Sequence, residues 1–483
     1  MQLESVIGLE IHVQLKTKSK MFCPCPNIFG DVPPNSAICP ICLGYPGTLP
    51  VPNAQAITWT QRVGAALNCQ LAKESKFDRK SYFYPDLPKA YQISQYDKPF
   101  CGPGRLLGVG ITRVHLEEDA AKNIHPNGAS YTLVDYNRAG TPLMEIVTEP
   151  DIRSPEQAKK FLQELQKIMR ALDVSAADME KGQLRCDANI SLREPGSHQL
   201  NPKTEIKNLN SFRNVERALQ YEIKRQACTG YVSGLQSTTR FDADAGITIE
   251  MRSKEEAADY RYFPEPDIPP FVFTSDQLKQ IVVDLPELPY AKQDRLRRQY
   301  GLSGQHALLL AANPLLADFF ENTVSELQQL DNEQSDINPE DIKTLVLRAT
   351  NIILKELRDI ITKEKITVAK LKVTPANFAE VIVLLHHGQM NKNALPQVLN
   401  AMQKTGGDPD HILQNLGLEQ VSDVGDLEKI IREVINENTD VINKVKTGKT
   451  SALQFLVGQV MAKTQGKANP QVVTDLFKKM ILG

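Results

Sequence analysis

Two sets of residues close to the start of the chain have types and spacing suited to chemistry. In the run Leu9–Leu15, the aliphatic residues Leu9, Ile11, Val13 and Leu15 alternate with Glu10, His12 and Gln14. Side chains on a strand alternate faces, so the aliphatics bury one face while Glu10 and His12 share the other. A carboxylate and an imidazole two residues apart can together hold a hard divalent cation. Then come Cys23 and Cys25, thirteen residues, and Cys39 and Cys42. C-x-C followed by C-x2-C is the spacing of two knuckles of a tetrahedral zinc site. Four thiolates leave no open coordination position, so the expected role is structural, pinning a Pro- and Gly-rich loop. The alternative is a set of free or redox-active thiols.

Other strand patterns carry similar polar faces. His115, Glu117 and Asp119 fall on one side of residues 114–119, and Arg185, Asp187, Asn189, Ser191 and Arg193 on one side of residues 184–193. Shorter alternating runs add Glu145, then Glu205 with Lys207, and Glu250 with Arg252. Taken singly, such a face is ordinary solvated sheet surface. If the strands are neighbours, however, the acids gather into a cradle with Arg and Lys around it. That composition suits Mg2+ and a nucleoside triphosphate, with the cations neutralising a transferred phosphoryl group. Two glycine-rich stretches are excluded as nucleotide loops. Gly102–Gly108 has its last glycine one place late for the dinucleotide fingerprint, and Thr447-Gly448-Lys449-Thr450 lacks the leading glycine of a P-loop.

The elements that must position these residues divide along the chain. Up to about residue 285 short alternating runs dominate. From about 290 long helical periodicities such as 342–348 and 378–385 take over, and a proline-rich passage over 263–270 marks the change. Gly406-Gly407-Asp408-Pro409 breaks the helical part again. The expected architecture is α+β over 1–288, an all-α domain over 289–405 and a helical tail over 406–483. A length of 483 residues accommodates several cores. A net charge of −2 argues against a surface that coats nucleic acid as a whole. From residue 441 onward, though, seven lysines stand against the single acid Asp475, a net +6 that either meets a phosphate backbone or is a solvated face. Neither a membrane-length apolar run nor a secretory signal is visible, which with clustered cysteines predicts a cytoplasmic protein.

The runs Gly8–Leu15, His115–Ala120, Asp135–Val147, Leu184–Arg193, Lys203–Phe212 and Asp259–Asp267 closely resemble the GatB family, the synthetase components of the tRNA-dependent amidotransferases. The segments Phe455–Met461 and Gly466–Pro470 resemble that family's YqeY-type tail. The resemblance implies a glutamine-synthetase-like antiparallel-sheet cradle, a helical domain and a YqeY-like tail that contacts tRNA. It implies ATP-dependent phosphorylation of Glu-tRNA(Gln) and Asp-tRNA(Asn), then amidation by ammonia. The ammonia would be channelled from an amidase-family glutaminase partner, and a small third protein would complete a heterotrimer. Carried onto this sequence, the resemblance puts Glu10, His12, Glu117 and Glu118 at metal-binding and tunnel-mouth positions, and Cys23, Cys25, Cys39 and Cys42 at zinc ligands.

The resulting expectation is a catalytic group of Glu10, His12, Glu117, Glu118 and Glu205. Mg2+ would be held by Glu10, His12, Glu118, Asp187 and Glu145, and ATP by Arg185, Lys207 and Arg252. The chain shows no recognisable amidase nucleophile of its own, so the glutaminase is expected on another protein. A rival class is a non-enzymatic tRNA-binding or assembly factor with a structural zinc site. Acid density speaks against it, since acids lining an RNA cleft repel phosphate unless a metal intervenes. An ATP-dependent ligase acting on free amino acids would explain the cradle but not the basic tail.

Overall fold

The computed structural model describes residues 3–482 except 31, 127, 230–235, 255–259, 334–338, 419–423, 447–449, 465–467 and 469. The chain divides into two compact units, Met1–Leu288 and Pro289–Gly483.

The first unit is built on an eight-stranded sheet. Its strands are β1 (Glu4–Gln14), β2 (Gly104–Leu106), β3 (Val109–Glu118), β4 (Pro142–Thr148), β5 (Leu184–Arg193), β6 (Thr204–Leu209), β7 (Gln236–Asp242) and β8 (Ile247–Lys254). They lie in the order β8-β7-β6-β5-β1-β4-β3-β2, which puts β1 inside the sheet. Every ladder is antiparallel except β6–β7. That pair runs parallel because a helix, Phe212–Thr229, carries the chain back between the two strands, so the expected antiparallel sheet is mixed at this one ladder.

One face of the sheet is apolar. Ile7, Leu9, Ile11 and Val13 of β1 are fully buried and share a core with the helix Pro155–Ala171. Ser154 caps that helix by accepting from the Gln157 N–H, Pro155 occupies its first turn, and Ala158, Phe161, Leu162, Leu165 and Ile168 form its buried stripe. Each large aliphatic or aromatic side chain contributes about 1.5–3 kcal/mol when removed from water. The opposite face of the sheet carries the polar residues.

A smaller sheet pairs Phe263–Pro264 with Asp78–Ser81, and that strand with Tyr91–Ser94. A bidentate Arg79–Glu265 pair at 2.7 and 2.8 Å locks it, with Glu265 buried. The proline-rich passage therefore closes the first unit rather than separating two.

The second unit is helical. One core runs from Leu296 to Leu413 and another from Leu427 to Phe477. Gly406 ends the helix Leu395–Thr405 in the left-handed conformation, at φ 73°, where a side chain would be strained. Asp408 then caps the next helix, Pro409–Asn415, whose Ile412 and Leu413 still belong to the first of these cores. The division expected at 405/406 thus falls inside one apolar cluster. Of the tail lysines, Lys463 pairs with Glu437 and Glu433, while the side chains of Lys444, Lys446, Lys449 and Lys467 lie outside the described residues. Among the described residues no helix is long and apolar enough to cross a membrane.

Candidate functional site

Strand register builds the site. On β1, His12 lies opposite Glu145 of β4, and Glu145 lies opposite His115 of β3. Glu117, two residues along β3, shares the face of His115. The His12 Nε2 atom is 3.4 Å from Glu145 Oε2 and 3.9 Å from Glu117 Oε1. One ligand atom from each of His12, Glu117 and Glu145 falls within 4.8 Å of the others. Two carboxylates and one imidazole on a rigid sheet suit a divalent cation of the Mg2+ or Mn2+ kind, with coordination positions left for a substrate.

Surrounding groups hold this triad in place. Arg113 Nε donates to His115 Nδ1 at 3.4 Å, and His115 Nε2 lies 3.1 Å from Glu145 Oε2. Ser94 donates to Glu117 Oε2 at 2.9 Å. Burial disfavours a charge on His12, yet its hydrogen bond to Glu145 and the charges of Glu145 and Glu117 outweigh that and raise its pKa. Burial likewise opposes the Glu145 carboxylate, but the His115 and His12 rings hold it well below the usual range. Lys80 also faces this group. Burial works against its ammonium, and Glu117, Tyr262 and Glu145 more than compensate, holding its pKa above the ordinary lysine value.

A second group lies on the same face, beside β5. Glu10 sits opposite Asp187 and accepts from Asn189 Nδ2 at 3.0 Å. Lys207 Nζ bridges Asp187 at 3.2 Å and Glu205 at 3.1 Å, and Thr238 donates to Glu205 at 3.1 Å. Arg185 stands opposite His12, but its guanidinium reaches Asp119 at 2.6 Å. Asp119 is fully enclosed; burial opposes its charge, and the Arg185 and Arg138 cations hold its pKa low. Among the described residues the buried Nε of Arg185 keeps a donor to spare.

The expected residues therefore separate. His12, Glu117 and Glu145 come together, whereas Glu10, Asp187 and Glu205 collect around Lys207 and Asn189. Glu118 is not brought to the metal triad. The period of two turns it to the opposite face from Glu117, where its carboxylate takes the Lys89 ammonium at 2.6 Å and the Ile93 N–H at 3.0 Å. The side chain of Arg252 lies outside the described residues. Two supporting residues, Lys80 and Ser94, escaped the sequence reading. His115 was signalled by sharing a face with Glu117, but Lys80 and Ser94 arrive on the smaller sheet, and no local pattern announces them.

The four cysteines converge from the loop after β1. The Sγ atoms of Cys23, Cys25, Cys39 and Cys42 all lie within 4.8 Å of one another, so the cluster could hold a metal ion. Cys42 receives the Cys39 N–H at 3.2 Å and faces the buried Lys20 ammonium at 3.8 Å. Donation from the Cys23 thiol, the Cys39 N–H and the Lys20 charge overcome burial and bring the Cys42 pKa down to about 5. A lysine enclosed beside thiolates fits the excess negative charge of four sulfurs around one divalent ion.

Fold and site define a class: an α+β enzyme whose sheet face gathers a triad that could hold a divalent cation and a lysine-bridged acid cluster. Residues 5–279 match the family model described as the GatB/GatE catalytic domain, and residues 340–481 match a second described as the GatB domain. The chain belongs to the GatB family of amidotransferase components. It is 44% identical to the GatB-type chain of the aspartyl/glutamyl-tRNA(Asn/Gln) amidotransferase of Thermodesulfovibrio yellowstonii, over 100% of both chains. Its identity to the chain of the same description in Thermomicrobium roseum is 45%, covering 100% of this chain and 99% of the relative. The Thermotoga maritima counterpart is 43% identical over 100% of both.

Proposed function

We propose that this chain is the synthetase component of a glutamine-dependent amidotransferase that corrects misacylated tRNA. ATP phosphorylates the side-chain carboxylate of Glu-tRNA(Gln) or Asp-tRNA(Asn), releasing ADP, and ammonia then displaces phosphate to give the amide. The observation that carries this reading is the His12–Glu117–Glu145 triad on the same sheet face as Lys207 and Arg185. A carboxylate is a poor electrophile, and phosphorylation makes it displaceable.

His12, Glu117 and Glu145 would hold Mg2+, which when bound neutralises charge on the phosphoryl oxygens. Arg185, oriented by Asp119, and Lys207 supply further positive charge at fixed positions. Glu10 would take the proton that the nitrogen sheds on forming the amide bond. Cys23, Cys25, Cys39 and Cys42 would bind zinc as a structural clamp. A separate glutaminase would supply the ammonia and a small third protein would complete a heterotrimer, with the helical unit meeting the tRNA.

The test is amidation of both misacylated tRNAs by the full chain, supplied with ATP and either free ammonia or glutamine plus the glutaminase. Activity with free ammonia and without the glutaminase is the expected result. Dependence on the glutaminase even with abundant ammonia would place the synthetase centre elsewhere.

A further inference from the structure

The helix Pro339–Ile352 serves two faces. Leu345, Val346, Ala349 and Ile352 are buried in the core of the helical unit. Thr344, Leu347, Arg348 and Asn351 recur at helical spacing and form the neighbouring stripe. Together with Ile352, that stripe lines a cavity of about 440 Å³. A π-helical turn, Ile353–Leu357, follows directly. An unbroken α-helix would carry the stripe on to Lys355, but the wider turn shifts the register, and no later residue of this helix lines the cavity. Single π turns of this kind recur at functional sites.

The other wall comes from the end of the helix Pro375–His386. Gly388 takes the left-handed conformation, at φ 68°, and the Gln389 and Met390 N–H groups donate back to the Leu384 carbonyl at 2.9 and 3.2 Å. That closure leaves Met390 buried and Lys392 exposed two residues further on. Leu385 and Leu395 complete the wall. The cavity thus combines aliphatic surface with a cationic rim. Ile352, Met390 and Leu395 are buried, while Leu347 is 41% exposed and awaits a cover. Arg348 and Lys392 bring two positive charges, and no carboxylate lines the cavity. Neither cation has an ion-pair partner among the described residues. Asn351 and Thr344 add neutral polar groups. A bare phosphate has no use for the aliphatic surface, and no aromatic ring lines the cavity on which a base would stack.

We propose that this cavity binds a small amphiphilic organic acid, an aliphatic or aryl body bearing one carboxylate. The body covers Leu347, Leu385 and Met390, and the carboxylate accepts from Arg348 and Lys392, with the Asn351 amide as a further donor. The volume falls in the range of roughly 300–1,000 Å³ usual for small-molecule sites, which are likewise mostly apolar with a few polar groups. The site takes no part in amidation and needs neither ATP nor a metal, so it stands independently of the function proposed above.

The experiment follows the Met390 methyl group by NMR on the full chain with isotopically labelled methionine methyls, Met390→Leu identifying the signal. The probes are octanoate, octylammonium and a single-stranded oligouridylate. Octanoate is expected to move the Met390 signal saturably, while the other two leave it in place. Arg348→Gln and Lys392→Gln, both on the rim, should each weaken octanoate by about tenfold, the loss of one charge-assisted hydrogen bond. An unchanged signal in the unliganded variants shows that each keeps the cavity. Equal responses to octanoate and octylammonium overturn the proposal, because they show uptake by apolar surface alone. A response without saturation, or wild-type affinity in both variants, overturns it too. Movement of the signal by the RNA and not by octanoate overturns it in favour of a nucleic-acid surface.

Discussion

The two candidate metal clusters of the first unit are built by opposite strategies. The cysteines come from one loop within twenty residues of sequence, Cys23 to Cys42, and their spacing alone marks them. The triad of His12, Glu117 and Glu145 comes from three strands and spans more than a hundred residues. There the sheet register positions the ligands, and the carboxylates and imidazole are held by His115, Arg113 and Ser94. Four sulfurs close a coordination shell, while three N/O ligands leave it open. Closure suits scaffolding and openness suits chemistry. A local cluster can therefore be lost with damage to the fold, whereas the register-built cluster should be lost with damage to function alone.

The largest expected effect tests the open cluster. Glu145→Gln keeps the size and the sheet but removes a ligand charge, and metal-assisted charge stabilisation amounts to several kcal/mol. At about 1.4 kcal/mol per tenfold, ammonia-dependent amidation should fall by about 1000-fold with Tm little changed. A comparable drop in Tm would erase the contrast between the clusters.

The closed cluster should behave the other way. Replacing Cys23 and Cys42 together with serine should abolish stoichiometric zinc in metal analysis and cost several kcal/mol of first-unit stability, since structural zinc binding is folding free energy. A wild type without zinc would end that assignment.

Glu118→Gln gives a smaller effect and sharpens the comparison further. It strands the enclosed Lys89 ammonium, at a cost of about 3 kcal/mol, and should lower Tm while divalent-ion binding persists.

Much of this was legible from sequence, for identifiable reasons. Alternation in Leu9–Leu15 and Leu184–Arg193 announced strands with polar faces, and helical periodicity announced the second unit. Cysteine spacing announced the thiol cluster because all its ligands are local. Neighbour relations were not legible, since nothing within β4 states that Glu145 lies between His12 and His115. Adjacent acids at 117 and 118 both suggested ligands, but the strand period divides them between faces. The parallel β6–β7 ladder required knowing that the helix Phe212–Thr229 crosses back. Lys80 and Ser94 reach the triad from a separate small sheet whose strands, Asp78–Ser81 and Tyr91–Ser94, carry no strong alternation.

The smallest effect belongs to the helical unit. Arg295 holds Glu321 through two hydrogen bonds, at 2.5 and 3.0 Å. That hydrogen bonding lowers the Glu321 pKa from its ordinary value of 4.5, against a smaller opposing contribution from burial. A depressed carboxylate pKa gives stability that is fully present above the unfolded value and lost as pH falls through the folded one. Glu321→Gln should therefore cost about 1 kcal/mol at pH 7 in denaturant titrations, and the difference from wild type should shrink steadily as pH falls below about 4. A penalty independent of pH would show that packing, and not charge, holds this pair.

The central claim of the proposed function is that register, and not adjacency in sequence, selects the residues that would hold the catalytic metal. Mn2+ binding, followed by electron paramagnetic resonance on the folded full-length chain, tests it most directly. Wild type and Glu118→Gln should bind one ion alike, while Glu145→Gln and His12→Ala should lose it. Retention of the ion in Glu145→Gln together with its loss in Glu118→Gln would contradict the account.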